Sequence, residues 1–150
     1  SDRVKASTEV TNELRLTPEE QDLLTRARGR ILLFQLGGPM SFGAAKVISQ
    51  RMAIIKDYTV LLLDMSDVSL LGVTAALAIE TMVEDAVAKN RHVFLVGATG
   101  NIEKRIKKLR LLQRFSLVYQ VENRFQALES ALELILSATQ NQQFVNQDVE

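Results

Sequence analysis

Cysteine and tryptophan are absent from this 150-residue chain, histidine occurs once, and proline only twice. Without cysteine there is no thiol nucleophile, no disulfide framework and no thiolate-ligated metal. A single histidine, His92, leaves a transition metal without a second imidazole. It stands second in an apolar stretch beside Arg91, where an outward polar residue of a strand is expected, and it reads as structural. No apolar run approaches the roughly 20 residues that a membrane-spanning helix needs, and no secretory signal is visible. Neither sign of charge is in excess: 18 basic residues balance 18 acidic ones. Global electrostatics therefore gives nucleic acid no claim as a partner. There is no internal repeat.

What is present is apolar content, 47% of residues, enough for one domain with a sizeable core. Residues 1–16 are polar and weakly patterned and read as a linker or arm. Thr17-Pro18-Glu19-Glu20 is a helix start, with a capping hydroxyl, a proline at the first turn and a glutamate three residues after the cap. Arg30–Leu36 reads as a strand and Gly37-Gly38-Pro39 as a turn. Phe42–Ile55 fits a helix. Tyr58–Met65 is the next strand, followed by a polar loop and a helix from about Val73 to Lys89. Arg91–Val96 is a strand, Asn101–Leu112 a helix, Leu117–Val121 a last strand, and Asn123 opens a final helix. The Gln- and Asn-rich tail after Ser137 is expected to be disordered. Strands alternating with helices predict an α/β domain with a small, mostly parallel sheet of about four strands and about five helices.

The candidate chemistry is sparse. Gly37-Gly38-Pro39 and Gly97-Ala98-Thr99-Gly100 follow strands but lack the spacing of a dinucleotide fingerprint or a P-loop, so both read as turns. Asp64 and Asp67 stand at a strand end, and Glu80 and Glu84 share a helix face; both pairs read as solvated or loop-bonded carboxylates rather than a catalytic or metal-binding pair. Lys104, Arg105, Lys107, Lys108, Arg110 and Arg114 form the one marked basic cluster. No aromatic residue interleaves with it, so base stacking has little support. The cluster reads first as a solvated helix face, given the neutral total charge, with anionic headgroups or an acidic partner open as alternatives.

The ordered motifs Gly38-Pro39-Met40-Ser41-Phe42, Asp64-Met65-Ser66-Asp67-Val68 and Thr74 through Glu80 resemble a STAS domain. This is the fold of bacterial anti-sigma factor antagonists and of the cytoplasmic C-terminal domains of sulfate permease (SulP) family anion transporters. The resemblance covers roughly residues 30–136 and separates the two branches. Antagonists carry a phosphorylatable serine in an Asp-Ser-Ser-Gly sequence. Here Gly72 and Val73 stand at the aspartate and serine places, and valine has no hydroxyl to modify. Thr74, Ala75 and Glu80 match the transporter branch instead. Only Lys56-Asp57 separate the first crossover helix from the next strand, a compactness that suggests a bacterial member.

The resemblance implies a non-catalytic regulatory and assembly domain of a SulP-type carrier of bicarbonate or sulfate, a cyanobacterial bicarbonate carrier being one such. It would lie on the cytoplasmic face of the bacterial plasma membrane. Residues 1–16 would follow a membrane domain, 17–137 form the STAS domain and 138–150 its tail. Its partners would be the membrane domain of the same polypeptide, a second copy, and a cytoplasmic regulatory protein; no cofactor and no metal is implied. The interaction loop expected from the motifs comprises Asp64, Ser66, Asp67, Ser69, Gly72, Val73 and Thr74. Gly38, Phe42, Lys104, Lys107 and Lys108 are candidates for anion or partner contact. Two further readings stay open: a stand-alone partner-switching protein, and a small-ligand or nucleotide-binding module using residues 37–42 and 65–74.

Overall fold

The computed structural model describes residues 3–9 and 13–148. Eleven elements follow in order: β1 (Arg3–Ser7), α1 (Pro18–Arg26), β2 (Ile31–Met40), α2 (Phe42–Ile54), β3 (Val60–Leu71), α3 (Val73–Ala88), β4 (His92–Val96), α4 (Gly100–Lys107), α5 (Leu111–Arg114), β5 (Val118–Val121) and α6 (Arg124–Asp148). The five strands form one sheet in the order β1-β2-β3-β4-β5. β1 pairs with β2 antiparallel, and the other neighbours are parallel. Parallel neighbours need crossovers, and α2, α3 and α4–α5 supply them, all packed on one face. α1 and α6 cover the other face.

The burial of both faces explains why the central strands are apolar throughout rather than alternating. In β3, Leu61 and Leu63 face α2 and α3, whereas Val60 and Leu62 face α1 and α6. Two-residue periodicity places Asp64 with Val60 and Leu62, on the α1–α6 face. Thr17 caps α1 reciprocally: Glu20 N–H donates to Thr17 Oγ1 at 3.1 Å, and Thr17 N–H donates to Glu20 Oε1 at 3.0 Å. Ser41 caps α2 by accepting from Ala44 N–H at 3.1 Å.

Several expectations are corrected. The sheet has five strands rather than about four, because residues 3–7 of the expected arm add an antiparallel edge strand. Gly37-Gly38-Pro39 is not a turn: β2 continues to Met40, and β3 continues beside it to Leu71. Register shifts between Gln35 and Gly37 and between Gly38 and Pro39 absorb the irregularity, with Gly38 at φ 70°. Residues 65–71 are therefore strand, not loop. The basic helix is broken in two by Arg110, which takes a left-handed conformation at φ 57°. The tail is helical as far as Asp148; the expectation for residues 1–2, 10–12 and 149–150 falls outside the described residues.

Gly97 ends β4 at φ 73°, and a Cβ there would overlap the Ser66 side chain on β3. Both the backbone conformation and the close approach require glycine. Gly97→Ala is expected to cost about 1–3 kcal/mol, read from urea unfolding midpoints. A loss below about 0.5 kcal/mol would mean that neither constraint is felt.

Candidate functional site

The carboxyl-terminal ends of the parallel strands gather nearly all of the expected site residues, but they divide into three places, the last two adjoining at Leu70. The first is a buried ion cluster. Asp64, 5% exposed, accepts from Ser66 N–H at 3.1 Å and from Ser66 Oγ–H at 2.6 Å through Oδ1. Its other oxygen receives Arg124 Nη1 at 3.3 Å. Arg124 opens α6 and reaches across to α1, where Nε donates to Glu20 Oε2 at 2.8 Å and Nη2 to Glu20 Oε1 at 3.1 Å. Nη2 also donates to the Arg15 carbonyl at 3.1 Å. The guanidinium thus ties α1, β3 and α6 together at one point.

Burial opposes the charged form of Glu20. Hydrogen bonds from Arg124 and Thr17, with the guanidinium's charge, outweigh it and hold the carboxyl below its ordinary range. The Glu20 hydrogen bond conversely raises the Arg124 pKa against its own burial. With both Asp64 oxygens engaged, the Asp64–Asp67 pair is no cation site. Asp67 instead lines a cavity of about 300 Å³ with Lys5, Arg15 and Gln35, whose Oε1 is buried without a partner. The acidic pair Glu80 and Glu84 is likewise occupied, by Arg114 at 2.6 and 2.5 Å. His92 is half-buried and stacked on Tyr119, with Nδ1 3.0 Å from the phenol oxygen, and burial lowers its pKa.

The second place is an apolar tip. Gly72 precedes α3 without a side-chain cap, and Val73, Thr74 and Leu77 are exposed along the start of that helix. Val73 is 60% exposed, Leu77 50%, Leu70 63% and Phe42 59%. The pairing of Pro39 with Leu70 and of Met40 with Leu71 brings Phe42, Leu70 and Val73 to the same end of the sheet. Gly38 lies just behind, paired with Val68.

The third place is a groove of about 520 Å³ between the end of β3 and α4. Ser69 and Leu70 line one side, and Lys104, Arg105 and Lys108 the other. Lys107 is not part of it and pairs with Glu103 at 3.6 Å. Sequence reasoning thus named Asp64, Ser66, Ser69 and the lysines. It missed the role of Glu20, taken only as a capping residue, and missed Arg124 altogether. The polar residue at Asp64, in an otherwise apolar buried strand face, was the available signal for a buried partner.

Residues 22–131 match the sequence profile of the STAS domain, so the chain belongs to the STAS domain family. Two curated relatives are bicarbonate transporters called BicA, from Synechocystis and Picosynechococcus. Each is 39% identical over 132 residues, which is 88% of this chain and 23% of the relative. The chain thus spans less than a quarter of the length of these relatives. Among solved structures, the STAS domain of a SulP transporter from Vibrio cholerae superposes with a TM-score of 0.61. It is 22% identical, and the match covers 72% of this chain and 85% of that one. A sulfate transporter family protein from Wolinella succinogenes gives 0.62 at 16% identity, covering 87% and 98%. These two share the fold. The expected recognition and fold class are thereby borne out: a STAS domain related to those of SulP transporters.

Arg124→Met removes the cation that pairs with two buried carboxylates, the only one to do so among the described residues, and is expected to destabilise by about 3–5 kcal/mol, read by urea unfolding. The pH dependence checks the cause. Glu20 is depressed below its ordinary 4.5 in the folded state. Its contribution is therefore complete above 4.5 and is lost as pH falls through the folded value. In the variant, burial of Glu20 is opposed by the Thr17 hydrogen bonds alone, so the loss of stability on acidification that Glu20 causes is expected to shrink. Equal acid sensitivity of Glu20 in both proteins would contradict this account.

Proposed function

We propose that this STAS domain is a non-catalytic regulatory and assembly module of a SulP-type anion transporter, working by protein–protein contact at the cytoplasmic face of the plasma membrane. The reading rests first on the relatives, which are transporters and far longer than this chain. Bicarbonate is the preferred cargo, because both relatives are named for it. The observation that carries the contact is the apolar tip. Phe42, Leu70, Val73 and Leu77 are each at least half exposed at one end of the sheet. Single exposed apolar residues are ordinary, but a group at one site is characteristic of a surface that becomes covered. Its partner in this reading is the remainder of the transporter, with a second copy of the domain completing the assembly.

Valine at position 73 leaves that place in α3 without a modifiable hydroxyl. Thr74 and Ser69 are exposed beside it. A phosphate on Thr74 would sit in the first turn of α3, where added negative charge is favoured by the unpaired N–H groups. It would also interrupt the apolar tip, so modification there would regulate docking rather than chemistry.

In the parent transporter, Val73→Asp combined with Leu77→Asp is expected to leave the domain folded and to lower both subunit association and anion uptake several-fold. Association is read by size-exclusion chromatography in detergent, and uptake by isotope flux. Wild-type values in both assays would refute the docking role of the tip.

A further inference from the structure

We propose that the groove between the end of β3 and α4 is a binding site for a phosphate ester. The basic residues of this cluster are not treated alike by the fold, although Arg110, also outside the groove, has no carboxylate partner among the described residues either. Lys107 and Arg114, which lie outside the groove, are paired with Glu103 and with Glu80 and Glu84. Lys104, Arg105 and Lys108, which line it, have no carboxylate within ion-pairing distance among the described residues. Lys104 and Arg105 lie in the last turn of α4 and Lys108 is its cap, so like charges stand three and four residues apart, and an anion between them would relieve their repulsion.

The rest of the lining fits an ester better than a bare anion. Ser69 lines the groove with the cations and carries a hydroxyl that is a further donor. Thr99 at the start of α4 makes no side-chain cap, so the first N–H groups of the helix, next to the groove, lack a side-chain acceptor. Leu70, Leu71 and Ile102 supply an apolar surface beside the charges, where the non-phosphate part of the ligand would lie. The volume of about 520 Å³ falls within the range of small-molecule sites. Three convergent cations suit the double charge of a phosphate monoester, and two of them suffice for the single charge of a phospholipid headgroup. The shared chemistry is a phosphate ester, and its source is either a soluble metabolite or an anionic lipid. Leu70 belongs to both surfaces, but Val73 and Leu77 do not line the groove, so the substitutions that test docking leave its lining intact and the two readings can fail independently.

Two arms distinguish the sources. In the first, glycerol 3-phosphate is titrated into the isotopically labelled chain at millimolar concentration and amide shifts are followed. In the second, the chain is sedimented with phosphatidylcholine vesicles with and without phosphatidylglycerol. Saturable shifts at residues 69–71 and 100–108 assign a soluble ester; sedimentation only with phosphatidylglycerol assigns a headgroup; either result supports the site. Lys104→Glu with Lys108→Glu is expected to weaken the response by about tenfold or more. Should that variant lose its native circular dichroism, Lys104→Gln with Lys108→Gln replaces it. The proposal is overturned by no response in either arm. It is equally overturned by a response that sodium chloride reproduces at matched ionic strength, or by one that the charge variants leave unchanged.

Discussion

Arg124 is the point on which the arrangement of the sheet's outer face depends. A guanidinium and two carboxylates buried together are costly to desolvate, and such clusters seldom add net stability over an apolar core of the same volume. What this one supplies is uniqueness of geometry. Glu20 is fixed in the first turn of α1 by the Thr17 cap, and Asp64 by two bonds from Ser66. Only one placement of α6 brings Arg124 within reach of both and of the Arg15 carbonyl. A positive charge at a helix N-terminus is disfavoured by the helix dipole. Its presence there is intelligible only because two carboxylates lie opposite, which again ties the start of α6 to this spot.

The same cluster governs the strand ends where the surface features lie. Asp64 is the last residue of β3 paired to β4; beyond it β3 is paired only to β2. Ser66, bonded to Asp64, fills the space that Gly97 leaves open. The extension from Met65 to Leu71 is thus anchored at its root by the ion cluster. Along its length it is anchored by the ladder to β2, where Val68 and Leu71 turn inward to the core. Ser69 and Leu70 are left outward, on a hydrogen-bonded strand rather than on a loop. Groups held on a strand can present a defined surface without the entropy cost of ordering a flexible segment.

How much of this was legible follows from the range of each interaction. The helix start at Thr17, the crossover helices and the apolar strand cores depend on neighbours within a few residues, and the sequence displays them. The STAS motifs are likewise local. The continuation of β2 through Gly37-Gly38-Pro39 was not legible, because glycine and proline signal a turn unless a second strand is present to pair with them. That partner is the Ser66–Leu71 stretch, which itself reads as loop from its Asp and Ser content. Each irregular strand is stabilised by the other, so neither is visible alone. The ion cluster joins Glu20 to Arg124 across 104 positions, a separation at which no periodicity carries information. The helical tail was misread for a different reason: its Gln and Asn content is compatible with helix once Leu128 and Leu132 have nucleated α6 against the sheet.

The basic cluster shows the same limit in electrostatic terms. On the sequence, Lys104, Arg105, Lys107, Lys108, Arg110 and Arg114 form one block of charge. In the fold they divide: the break at Arg110 turns α5 away from α4 and delivers Arg114 to Glu80 and Glu84 on α3. What remains unneutralised along the groove is therefore set by the topology rather than by composition. Leu70 belongs to both that groove and the apolar tip, and it is the residue through which the two surfaces adjoin. A molecule seated in the groove would cover part of Leu70 and change the apolar area that the tip presents. In the proposed reading, occupancy of the groove and docking at the tip would thus be linked through Leu70, a side chain held on a strand of the sheet.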